Sequence, residues 1–191
     1  MFLVYKINQF TIMKNVSIIC LMLVVLMTDK IFAQPTAAVA KEKMKPFIHW
    51  EGHWQGEGSM QMGPGTPKKS TVDEYIEFKL DGAVLLVEGI GKSVEGNESN
   101  IVHNAMAVLS YDQTTNQYKF NTYLKDGRAT QAWFKIVEEN KYQWGFETPK
   151  GKIKYSITLD SANKTWNEIG EFSNDNGTTW MKFFEMNLKK V

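Results

Sequence analysis

At 191 residues the chain is long enough for one domain with a substantial core. Charged residues make up 23% and aromatic residues 13%, a globular composition that excludes a disordered chain. A net charge of +1 provides no electrostatic footprint for nucleic acid or for an anionic membrane surface.

The first segment reads as an export signal over residues 1–33. Met13-Lys14-Asn15 is a short basic start, and Val16 to Met27 is almost wholly apolar. That run has the length of a secretory core and is short for a membrane span. Ala33 before Gln34 supplies the small residue at the cleavage position, and Met13 reads as the true start. Cys20, the only cysteine, is preceded by the bulky Ile19, which argues against lipidation. Cleavage would remove it and leave neither a disulfide nor a thiolate metal site. It would also remove Lys6, Lys14, Asp29 and Lys30 and turn the net charge from +1 to −1. The expected location is periplasmic or secreted, with no membrane association after cleavage.

Residues 34–45 read as a linker or short helix, because Ala37, Ala38, Ala40, Lys41, Glu42 and Lys43 are good helix formers. Pro46 ends that stretch. From residue 46 to 191 the pattern changes to short segments of period-two alternation. The spacing predicts strands over 53–62, 71–80, 83–91, 101–111, 116–124, 129–137, 140–147, 151–159, 164–172 and 178–188. Asp81-Gly82, Asp126-Gly127 and Asn176-Gly177 are tight-hairpin signals, since a type I′ turn needs positive φ at both central residues. No interval can hold a long helix, so there is no βαβ unit and no parallel sheet.

Alternation also assigns faces. Ile153, Tyr155, Ile157 and Leu159 oppose Lys152, Lys154, Ser156 and Thr158. Ile76, Phe78 and Leu80 oppose Tyr75, Glu77 and Lys79. Sequential antiparallel strands with one apolar face each close most simply into an up-and-down barrel, which removes exposed edges. The expected fold is therefore all-β, a single antiparallel barrel of about ten strands behind a short N-terminal helix. A barrel of that size has room for a ligand unless aromatic side chains fill it.

Gly52-His53-Trp54-Gln55-Gly56-Glu57-Gly58 spells G-x-W-x-G-x-G and resembles the opening of nitrobindin-type haem-binding barrels. Met106 to Asp112 with Tyr118-Lys119-Phe120, and Trp180 to Met186, are similar to secreted bacterial lipocalin-like domains of unknown function. The resemblance spans about residues 46–191 and implies a calycin-like barrel with Trp54 closing its base. Nitrobindins hold haem through a histidine near the C-terminal end of the barrel. Here the histidines are His49, His53 and His103, with none beyond. The resemblance thus implies the barrel and disfavours haem, and no cofactor or metal is expected.

Several residues are candidates for contact with a ligand. His103 lies mid-strand and its neutral imidazole can accept a proton or bind a metal. Inward-facing Ala105, Ala107 and Leu109 would turn it inward, while inward-facing Met106 and Val108 would turn it to solvent. Arg128 is the only arginine, and its guanidinium could hold an acidic ligand at the barrel mouth or an internal Glu. Glu88 shares parity with Val84, Leu86 and Ile90, Glu168 with Trp166, and Glu185 with Met181 and Phe183. Inward carboxylates are costly unless paired, so they would line a polar part of the interior. Trp144 and Trp54 are packing residues that would also offer aromatic wall. Met60 and Met62 are soft donors, too few to define a copper site.

The chain carries no nucleophile elbow, phosphate loop, HExxH or paired-cysteine motif. The leading expectation is a non-enzymatic barrel that binds a small hydrophobic or amphipathic molecule. A filled barrel acting through its surface is the second, and an isomerase or hydrolase on the same barrel the third.

Overall fold

The computed structural model describes residues 36–95 and 100–191. The expected export signal lies outside the described residues, as does the middle of the polar loop at 96–99. Thr36 starts a helix, α1 (Ala37–Met44), its side chain accepting a hydrogen bond from the Val39 amide. Pro46 turns the chain through a 3₁₀ turn, Lys45–Phe47. Ten strands follow: β1 (Gly52–Met60), β2 (Lys68–Lys79), β3 (Val84–Ser93), β4 (Ile101–Asp112) and β5 (Gln117–Leu124). The series continues with β6 (Ala129–Glu138), β7 (Lys141–Thr148), β8 (Gly151–Asp160), β9 (Thr165–Ser173) and β10 (Met181–Lys190).

Each strand pairs antiparallel with its sequence neighbours, and β1 pairs with β10, so the sheet closes without an edge. The expected fold class is the observed one. Turn chemistry explains the connections only in part. Asp81-Gly82 and Asn176-Gly177 both adopt positive φ, but at Asp126-Gly127 only the glycine does. There Asp126 accepts the Arg128 amide, and the Gly127 amide closes on the Leu124 carbonyl. The last strand starts three residues later than its pattern suggested. Residues 175–179 form a loop in which the Asp175 carboxylate accepts the amides of Thr178 and Thr179.

One end of the barrel is packed solid. Inward residues Trp54, Ile76, Leu85, Leu109, Phe134, Tyr142, Leu159, Trp166 and Leu188 are all buried. Phe47 and Trp50, carried in by the 3₁₀ turn and the residues after it, fill the space among them. Phe47 meets Tyr118 edge-on at 5.4 Å between ring centres, and Trp50 meets Trp166 at 4.6 Å. Three bonds hold this plug: the Tyr118 hydroxyl to the Lys43 carbonyl, the Tyr142 hydroxyl to the Pro46 carbonyl, and the Trp54 indole to the Trp50 carbonyl. Trp54 thus sits at the base of the barrel. No helix among the described residues is long and apolar enough to cross a membrane.

Candidate functional site

Toward the other end several inward residues are less completely buried. Inward residues there retain contact with water: Glu74 on β2, Leu124 on β5, Thr130 on β6, Trp144 and Phe146 on β7, Tyr155 on β8 and Phe184 on β10 are half-buried. The wall is thinned by glycine. A side chain at Gly89 would strike the Glu74 carboxylate at 2.6 Å, and one at Gly170 would strike the Tyr155 ring at 2.8 Å. These positions lack side chains so that neighbouring groups can lie across them. The Trp144 and Tyr155 rings stack 4.1 Å apart, and Phe183 and Phe184 stand 5.8 and 5.9 Å from Tyr155. The result is a bowl with an aromatic wall.

Two carboxyl groups face this interior. Glu168 is buried, and its oxygens accept the indole N–H of Trp144 at 2.9 Å and of Trp166 at 3.3 Å. Burial raises its pKa to about 7, and the two indole donors hold it from rising further. Glu74 accepts no hydrogen bond from any described residue. Burial raises it to about 8, with further pressure from Glu168 and Asp73. Burial, with Glu168 second, also raises the Tyr155 phenol.

His103 faces inward, opposite Gly91 and in phase with Ala107 and Leu109, which settles the direction that alternation left open. It lies near the mouth, reached by water yet surrounded by wall, so its charged form is disfavoured and its pKa lowered. Three other expectations are corrected. Glu88 is exposed on the outer face, because β3 is apolar on both faces and Leu85 and Val87, not Val84 and Leu86, point inward. Glu185 also faces outward, ion-paired to Lys182 at 2.9 Å. A bulge between Lys182 and Phe184 breaks the phase that Met181, Phe183 and Glu185 would share. Arg128 holds no internal Glu. Its guanidinium is exposed and donates to Asp126 of its own turn at 2.8 Å.

Met60 and His53 lie at opposite ends of β1, and His53 bonds Asp73 on the outer face at 3.0 Å. No cluster of three or more His, Cys, Asp or Glu able to hold a metal occurs among the described residues. A groove of about 580 Å³ runs outside β8, β9, β10 and β1, lined by outward residues such as Gln55, Thr158, Asn167 and Asn187. Trp166, whose indole donates to Glu168, also borders this groove.

Glu74 is the residue that sequence reading missed. Its signal was present: the inward phase of Ile76 and Phe78, continued two residues back, falls on Glu74. A charged residue in an apolar phase reads as a break in the pattern rather than as an inward group.

The chain matches no known family profile and no curated protein. Among solved structures it is similar to an S-type phycobiliprotein lyase from Guillardia theta, at 11% identity and a TM-score of 0.54. That match covers 82% of this chain and 98% of the lyase. At that identity the likeness is one of fold.

Proposed function

We propose that the protein binds a small hydrophobic or amphipathic molecule inside the barrel, in the bowl between Trp144, Tyr155, Phe184 and Glu74. One observation carries this reading. Toward the mouth, inward Glu74, Leu124, Thr130, Trp144, Phe146, Tyr155 and Phe184 are only part-buried although they line the inside of a closed sheet. Concave sites with apolar walls and a few polar groups are the usual form of ligand pockets. The build shared with a phycobiliprotein lyase barrel supports the use of such an interior for a small molecule. Trp144 and Glu168 belong to this site, and His103 guards its mouth. Trp54 supports it from the base. The apolar run at Val16 to Met27 supports an exported protein, so the ligand would be met outside the cytoplasm.

The test is titration with a neutral solvatochromic dye. One dye should bind per barrel with a blue-shifted emission. Leu124→Trp, which fills the bowl, should abolish the shift while leaving the unfolding midpoint near that of the parent. Loss of neither signal in this variant would move the site elsewhere. Native mass spectrometry of protein from its own host would then give the mass of the resident molecule.

A further inference from the structure

The bowl contains two carboxyl groups and, among the described inward residues, no fixed cation. Glu168 is already oriented by two indole donors. Glu74 is different. It lies against Gly89, where no side chain covers it, and no described residue gives it a hydrogen bond or an ion pair. The charged groups around it are few. Glu168 faces it from β9, and Asp73 next to it points outward to His53 and Gln55. Tyr155 on β8 and His103 on β4 face the same interior, and burial raises the phenol's pKa and lowers the imidazole's. The Glu74 carboxyl group is part-buried and unpaired, which disfavours the charged form. The Trp144–Tyr155 stack stands beside Glu168, bonded to it through the Trp144 indole, and aromatic ring faces attract positive charge.

We propose that the bowl takes a hydrophobic amine in its protonated form, with the ammonium set between Glu74 and Glu168 and the apolar part against Trp144 and Tyr155. This rests on the ligand-binding reading above and narrows it. A neutral apolar ligand would leave Glu74 without a partner, and an anionic one would add a third acidic group to the same space. The proton balance follows. At pH 7 Glu74 keeps its proton, because its pKa of about 8 makes ionisation about tenfold unfavourable. The incoming ammonium pairs with the carboxylate, and the displaced proton leaves to solvent.

The experiment uses three probes of one skeleton: 2-naphthylmethylamine, 2-naphthylmethanol and 2-naphthoate. Each is titrated calorimetrically into the protein in two buffers of different ionisation heat. The amine should bind about tenfold tighter than the alcohol at pH 8, with the naphthoate weakest. Between half a proton and one proton should be released at pH 7, and the amine preference should shrink toward pH 5.5. In Glu74→Gln the amine should lose its preference over the alcohol, and proton release on amine binding should fall. If that variant does not fold, the pH profile and proton count of the parent still decide. Equal binding of amine and alcohol would overturn the cation assignment and leave the ligand-binding reading standing. Tightest binding of naphthoate would do the same. Failure of all three probes and of the neutral dye would overturn both.

Discussion

The two halves of this barrel share ten strands and one alternation, and they differ in what occupies the interior. At the base, Trp54, Tyr142 and Trp166 meet Phe47 and Trp50, which enter from outside the sheet. Toward the mouth, inward positions are held by Gly58, Gly89, Gly91, Ala105 and Gly170, and no segment among the described residues enters to replace the missing volume. Barrel geometry sets the circumference, and the summed volume of the inward side chains decides whether the space is core or cavity. The base is a conventional hydrophobic core. The mouth half keeps two ionisable groups in a place where a core would not tolerate them.

Matched truncations sharpen this contrast. Trp50→Ala should cost about 3–5 kcal/mol in denaturant unfolding, as for large aromatics in packed cores. Phe146→Ala, at a part-buried site, should cost about 1–2 kcal/mol. Equal losses would mean that the mouth half is packed as well.

Stability should next depend on pH through the carboxyl pair. Below about pH 4.5 Glu74 is protonated in folded and unfolded chains alike; above it the unfolded chain loses the proton while the folded one keeps it up to about 8. The folded state therefore holds more protons in that window, and its stability falls as pH rises through it, by about 2–4 kcal/mol. Thermal unfolding from pH 5 to 9 reads this, and Glu74→Gln should flatten the slope. A parent curve that is already flat would place Glu74 in water.

Glu168→Ala leaves the Trp144 and Trp166 indoles without their acceptor and should cost about 2–3 kcal/mol, whereas Glu168→Gln should cost under about 1. Near-ultraviolet circular dichroism should register the released tryptophans. Gly89→Ala should cost about 1–3 kcal/mol by forcing the Glu74 carboxylate aside. Arg128→Ala should change stability by no more than about 0.5 kcal/mol, since an exposed pair within one turn contributes little. A large loss there would show that the rim matters to the fold.

Legibility in the sequence followed the same divide. β8 alternates strictly, Ile153 to Leu159 against Lys152 to Thr158, and its faces were readable from the pattern alone. Glu168 was placed correctly because Trp166 fixes its phase two residues away. β3 carries apolar residues on both faces, so Val84-Leu85-Leu86-Val87 has no phase of its own and Glu88 was turned the wrong way. In β10 the bulge after Lys182 moved Glu185 outward, and nothing local announces a bulge that depends on how β9 pairs.

By itself, then, the order of residues determined the strand count, the meander order and the short helix before β1. Period-two patterning and turn residues act within a few positions, and a one-residue slip would expose every apolar side chain of a strand. Only the tertiary structure decided which half is filled, since the plug reaches Tyr118 and Tyr142 from more than 70 residues away. It also brought Glu74 and Glu168 to one space. Their meeting depends on closure of the sheet between β1 and β10, a long-range event that no local pattern encodes.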